Sequence, residues 1–555
     1  MGDVARGASA SREPNPERAI TVTHDDTPNA PGPWGRARWR LFAAGGLLLA
    51  LATWLALESR SRVFDHGQGF DDRPIVGLVV GLLFASAVWF AVSIAALRRA
   101  PPLSWVLLFA FLLRAILLPS RPVQEDDIYR YVWDGKVVAA GLDPYLATPG
   151  EVSDFPALPV AGGGRRDRRA LLERFEHVEH ASEANREILA RVNNRGYASI
   201  YAPLLQFVFA LHGRFVPSDW PAERQITAMK CLLALFDLGL LALLPLLLGL
   251  VGLPRGLVVL YAWCPLVLKE CANSGHLDAV PAFFVVAALI AAVLAGRTRD
   301  SATAIGWALA AGVALALAFG TKLYPLLLVP VVWRRLGVVR GAVVALAFSN
   351  VAAVQFGFFP EGAEQRNRVV RLFAHTWENH GAIFLSLRTY LEWLTANAEV
   401  SFDVAGVEVV QSRGDQLARQ VASACVVFAV LWNTWKTTTR IEAAHFLERC
   451  FLVIATLFLV GPVGFPWYFV WLAPLLPFVR RRAWLVLPGI LMLYYLQFWF
   501  EYRYHDATFS WWVLFDPILL LEVLAFAVIL AIEGVLERRR SGTREGSRVA
   551  ERSTR

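Results

Sequence analysis

The sequence predicts an all-α protein, a polytopic transmembrane helix bundle of about 13–15 spans with a long extracytoplasmic loop that carries interfacial helices. Three observations lead there. Of the 555 residues, 56% are hydrophobic, with 20 Trp and 35 Phe, against roughly 45–50% apolar residues in soluble domains. Apolar runs of roughly 17–25 residues recur, each long enough to cross a ~30 Å hydrocarbon core as a helix. Basic residues collect in short stretches between those runs, the pattern that orients a membrane protein. The net charge of +8 therefore reads as orientation, and no nucleic-acid partner is expected.

The segment 1–37, rich in Pro, Asp and Asn and without a compact apolar core or cleavage site, reads as a disordered cytoplasmic tail and not as a signal peptide. First transmembrane helices occupy 38–119, with apolar runs at 41–57, 74–97 and 103–118. A polar extracytoplasmic loop, expected to be catalytic, follows over 120–227. The main bundle fills 228–536, with runs at 228–250, 256–268, 276–295, 303–319, 323–333, 341–358, 417–435, 446–463, 467–479, 484–500 and 517–536, before a basic tail at 537–555. Arg36, Arg40, Arg98, Arg99, Arg297, Arg299, Arg334, Arg340, Lys436, Arg440 and the triplets at 480–482 and 538–540 carry the positive charge. With these on the cytoplasmic side, both termini are inside. The alternation then gathers "EDDIYRYVWDGKVVAAGLDPY", "KECANSGHLD", "TKLYP", "TWENHGA", "GFPWYF" and "FEYRYHD" on the outer face.

Ile200 to His212 breaks this alternation if it crosses, so it is expected to dip into the outer leaflet and return, screened by protein. Within the loop, "GGGRRDRR" reads as a flexible link. Leu171, Leu172, Phe175, Val178, Ile188, Leu189 and Val192 recur at helical spacing, as in a helix lying along the membrane surface. The five cysteines show neither zinc spacing nor a disulfide framework.

Candidate chemistry starts at Asp126 and Asp127. As a helix, this stretch puts Asp127, Arg130, Asp134 and Val138 on one face and Tyr129, Trp133 and Lys136 on another, with Gly141 and Asp143-Pro144 ending it. Like-charge repulsion between adjacent aspartates raises at least one pKa toward the range of a general base. A solvated helix anchored by Tyr and Trp has the same spacing. Three of the chain's five lysines, Lys136, Lys269 and Lys322, fall on the outer face. A lysine at membrane depth costs at least ~2.5–3.5 kcal/mol and calls for an anionic partner, such as a lipid phosphate, or for snorkelling to the interface. His276 and Asp278 open a span near its outer end. "EHVEH" has the charge density of a solvated face. The aromatics of "GFPWYFVW" suit an interfacial belt, and equally a surface for a sugar or a prenyl chain.

Together with "YASIYAPLLQ", "LFDLGLLALL", "YAWCPLVLKECANSGHLDA", "GTKLYPLLLVPVVWRR" and "FPWYFVWLAPLLP", the first block resembles the motifs of bacterial integral-membrane glycosyltransferases of the GT-C superfamily. The nearest likeness is to polyprenol-phosphate-mannose-dependent mannosyltransferases, over roughly residues 103–477. The first block is its most specific part. That resemblance implies transfer of a hexose from a polyprenyl-phosphate donor to a lipid or glycan acceptor on the non-cytoplasmic face. It places the catalytic base at Asp127 or Asp126. Related sequences often carry a small residue where this chain has Glu125, which leaves the division of labour among the three acids open. Arg130, Lys322 and Lys269 are candidates to hold the departing lipid phosphate. Asp134, Trp133, Asn273, His276, Asp278, Tyr324, Trp467 and Tyr468 are candidates to bind substrate. No nucleotide-binding glycine loop is present. A divalent metal is compatible with paired acids, and the sequence leaves it undecided. The rival class is a transporter or flippase of lipid-linked sugars, which calls for paired broken helices in two related halves and ionisable groups near the midplane.

Overall fold

The computed structural model describes residues 34–65, 70–124, 126–155, 165–404, 406–479, 481–504, 520–521 and 523–535. The terminal tails, the three glycines of the "GGGRRDRR" link, Glu125 and the end of "FEYRYHD" lie outside the described residues, and the rest of that link, 165–169, is not flexible as expected but the first turn of a helix, Arg165–His180. Among the described residues the chain is nearly all helical. Nine helices are long and apolar enough to cross a membrane, from Trp39–Glu58 to Ala483–Arg503. This is a multi-pass membrane protein. The exception to its helical character is one hairpin, β1 (Glu399–Val404) and β2 (Val407–Ser412), whose alternation "EVSFDV" was not expected to form strands.

The five remaining apolar runs are short or interrupted. One is Leu103–Leu117, of 15 residues, and another contains Val523–Val535. The other three are broken by proline, which cannot donate to the helical ladder and clashes with the preceding turn. Pro265 splits Val259–Ala262 from Pro265–Val267, and Pro325 and Pro330 open the pieces Tyr324–Leu328 and Val329–Leu336. Pro466, Pro474 and Pro477 leave two 3-10 turns, Pro466–Trp471 and Ala473–Phe478.

The first helices are α1 (Trp34–Glu58), α2 (Ile75–Arg98) and α3 (Leu103–Leu117). Cross-links define the two ends of the bundle. At one end Arg60 donates to the Pro119 carbonyl, Arg121 pairs with Asp65 and Glu223, Asn273 holds Ser120, and Asp143 accepts from the Gly362 amide. At the other end Arg335 meets the Thr439 carbonyl, Arg340 donates to Ala295, and the amides of Arg482 and Ala483 donate to Glu533. The basic stretches around 297, 334–340 and 481–482 thus share the end opposite the acidic block.

A polar cap stands on the first end. It contains α4 (Asp127–Ala139), α5 (Pro149–Asp154), α6 (Arg165–His180), α7 (Glu183–Ala190) and α8 (Pro203–Phe215), before the chain re-enters the bundle as α9 (Ala222–Leu250). The 200–212 stretch does not cross: α8 packs on α4, and His212 hydrogen-bonds the Gln225 carbonyl at the start of α9. The pairing is close because Gly135 and Gly213 face each other's helix. A Cβ on Gly135 would collide with the Phe209 carbonyl. Tyr131 stacks on Phe209 at 4.9 Å.

The expected surface helix is instead two helices, α6 and α7, whose apolar stripe turns inward. Leu172, Phe175, Val178, Ile188, Leu189 and Val192 form a second core with Tyr131, Trp133 and Val137 of α4. Helical periodicity marks a buried face without saying whether lipid or protein buries it, and here the partner is protein.

Candidate functional site

The acidic pair stands at the start of α4. Gln124 adopts φ 70° just before it, turning the chain out of the bundle, and Asp127 occupies the first helical turn, where the helix dipole favours an anion. The helix closes on Gly141 at φ 75°, with the Leu142 amide donating to Val137 and the Gly141 amide to Val138, a Schellman cap.

One side chain bridges the two aspartates. The Asn193 amide nitrogen donates to Asp126 Oδ1 at 2.8 Å and to Asp127 Oδ1 at 2.6 Å, tying the loop after α7 to the start of α4. Desolvation by the surrounding protein, reinforced by the Asp127 charge and opposed by Asn193, pushes Asp126 up to about 6. Desolvation also raises Asp127, opposed by Asn193 and by the charges of Lys322 and Arg130.

Facing Asp127 is the end of the broken segment. After Pro265–Val267 the chain runs as a π-helix, Leu268–Ser274, and Gly275 at φ 76° lets the His276 amide return to the Glu270 carbonyl at 2.8 Å. His276 is thereby set between two acids. Its Nδ1 lies 3.9 Å from Asp127 Oδ2, and its Nε2 lies 3.4 Å from Glu270 Oε2. Glu270 also pairs with Lys269 at 3.2 Å and accepts from the Tyr495 hydroxyl, while the Lys269 ammonium sits 3.7 Å from the centre of the Tyr495 ring.

Two aromatic stacks line the opposite side. Phe465, Trp467 and His276 lie face to face with successive centroids 4.2 Å apart. Tyr468, Trp471 and Tyr324 form the second stack, at 4.2 and 4.4 Å. Lys322 stands over Tyr468 at 4.6 Å and 3.5 Å from Asp278 Oδ1, which also accepts from the Trp471 indole at 2.7 Å. Acid, cation and flat aromatic surface therefore meet at the mouth of an apolar bundle.

Of the residues singled out from sequence, Asp126, Asp127, His276, Asp278, Lys322, Tyr324, Trp467 and Tyr468 converge here, with Lys269 behind Glu270. Four others do not face this space. Arg130 spends its donors on Asp134, its i+4 neighbour, at 2.9 Å and on the Tyr197 carbonyl. Asp134 accepts from Ser199 and Gln206, so the pair ties α4 to the chain entering α8. Trp133 is core. Asn273 clamps the turn after α3 through Ser120, Arg121 and Val123.

Glu270, Asn193, Trp471 and Tyr495 were not singled out. Glu270 carries the clearest signal, an acid adjoining Lys269 at the end of an apolar run. Among the described residues no group of three or more His, Cys, Asp and Glu is arranged to hold a metal ion. Comparison of the chain with protein-family models, with curated proteins and with solved structures finds no match.

Proposed function

We propose that this protein is an integral-membrane glycosyltransferase. It moves a hexose, with mannose the first candidate, from a polyprenyl-phosphate donor to a lipid, glycan or protein acceptor at the extracytoplasmic face of a bacterial plasma membrane. The observation that carries this reading is the meeting of the Asp126–Asp127 pair with Lys322 and the aromatic stacks at one mouth of the bundle. An inverting transfer needs a carboxylate to take the acceptor hydroxyl proton on the face of the anomeric carbon opposite the leaving phosphate. Asp127 is suited to that role by its place facing Lys322 and His276. The developing charge on the phosphate needs a cation, and the surroundings of Lys322 combine charge with flat surfaces for a sugar or a prenyl unit. Its present partner, Asp278, would share it with the phosphate.

The test is transfer from labelled polyprenyl-phosphate mannose to a panel of acceptors by purified protein, with and without a chelator. Asp127→Asn is expected to lower kcat by about 10²–10⁴-fold, and full activity in both Asp127→Asn and Asp126→Asn would remove the base assignment. Labelling of single cysteines introduced over residues 120–145 checks the side, and reaction only from the cytosol would contradict it. The discontinuous segments at 255–274, 324–336 and 466–478 favour, as a second reading, a carrier of the same lipid-linked sugar. Donor movement across a vesicle without glycosidic bond formation would establish that alternative.

A further inference from the structure

Glu270 is buried, is not used by the base-and-cation scheme above, and is built in asymmetrically. Its Oε1 faces both the Tyr495 hydroxyl and Lys269. Its Oε2 makes no hydrogen bond of good geometry among the described residues, although the Ser274 hydroxyl lies near the carboxyl, and is turned to His276 Nε2 at 3.4 Å. His276 is 2% exposed, and neither ring nitrogen has a hydrogen-bond partner within that set, although Nδ1 looks toward Asp127 Oδ2 at 3.9 Å. The ring cannot readily swing away, because Trp467 is stacked on it at 4.2 Å and 11°.

The backbone is specialised for this placement. A π-turn, common at functional sites and rare elsewhere, together with Gly275 in the left-handed region, sets residue 276 over residue 270. A Cβ on Gly275 would also strike Ile128 Cδ1 on α4, so the same glycine lets the acid-bearing helix approach.

We propose that Asp127, His276 and Glu270 form a proton relay in which Glu270 is the terminal acceptor. The relay rests on the glycosyltransferase reading for its proton source. Asp127 takes the proton of the acceptor hydroxyl as the oxygen bonds to the anomeric carbon and the carbon–oxygen bond to the lipid phosphate breaks. In the same transition state Asp127 gives a proton to His276 Nδ1 and the ring gives its Nε2 proton to Glu270 Oε2. The ring ends neutral in the other tautomer, Asp127 is again a carboxylate, and one proton rests on Glu270. Catalytic hydrogen bonds that are long in a free enzyme tighten in the substrate complex.

Two measurements test this. In the transfer assay Glu270→Gln and His276→Gln are each expected to lower kcat about 10²-fold or more with little change in KM. The wild type should show a curved dependence of rate on deuterium fraction, from more than one proton in flight. A linear dependence, or Glu270→Gln at wild-type kcat, overturns the relay. Nitrogen-15 spectra of the His276 ring, assigned by difference from His276→Gln, need no activity. The Nε2–H tautomer in the wild type, lost in Glu270→Ala, is expected, and an Nδ1–H or doubly protonated ring overturns the relay. If the wild type fails to transfer from any polyprenyl-phosphate sugar while the Nε2–H tautomer is found, it is the glycosyltransferase reading that falls, and the Glu270–His276 arrangement stands apart from it.

Discussion

Arg114 and Asp237, on α3 and α9, form an ion pair whose side chains are only 2% and 1% exposed, so its loss should be among the most damaging single changes in the bundle. Asp237 accepts from Arg114 Nε at 2.5 Å, from Nη2 at 3.0 Å and from the Tyr261 hydroxyl at 2.6 Å. Arg114 Nη1 also donates to the Ala262 carbonyl at 2.9 Å, close to where Pro265 interrupts the helix. Arg114→Met leaves a buried carboxylate with one neutral donor, which costs about 3–5 kcal/mol. An unpaired Ala262 carbonyl accounts for about 1–3 kcal/mol when no other donor reaches it. In the double variant Arg114→Met/Asp237→Leu no charge is stranded, so the costs of the Ala262 carbonyl and of the buried Tyr261 hydroxyl left without its acceptor remain, and the coupling should lie within the roughly 0.5–3 kcal/mol range for contacting residues. The assay is a denaturing-detergent titration read by a thiol-reactive dye. Cys264, Cys271 and Cys450 are buried and free, and Cys231 and Cys425, in exposed positions, would first be changed to Ser. Single variants as stable as the wild type, or a double variant as damaged as the sum of both singles, would refute the reasoning.

Two other outcomes follow from the polar cap. Because Asp126 is raised to about 6 from 3.8, the folded protein holds a proton between about pH 4 and 6 that the unfolded chain has released; stability falls as pH rises through that window, and Asp126→Asn should flatten the fall in a series of melting curves. Gly135→Val should push α8 off α4, costing about 1–3 kcal/mol by overpacking, and limited proteolysis should then cut within residues 140–220 sooner than in the wild type.

The bundle was legible because an apolar run long enough to span is a matter of composition and length, and α4 was legible from its spacing and from Gly141. The interruptions at Pro265, Pro325 and Pro466 could be seen as prolines but not as breaks of a given shape, since the 3-10 and π turns depend on what satisfies the freed carbonyls, as Arg114 does for Ala262. Arg130 and Asp134 share a face of α4, as their spacing predicts, and the same i, i+4 spacing makes them partners of each other. Glu270 escaped notice because its meaning comes from the π-turn and Gly275, which no periodicity marks. Asn193 reaches the acids only through the folding back of α6 and α7.

That last arrangement has a consequence for how the acidic pair is controlled. The amide that spaces the two carboxylates follows a helical pair at the outer end of the bundle, with one face packed on α4 and α9 and a charged face left open. A macromolecule gripping that open face, such as an antibody fragment, would have a lever on the carboxylates without entering the bundle.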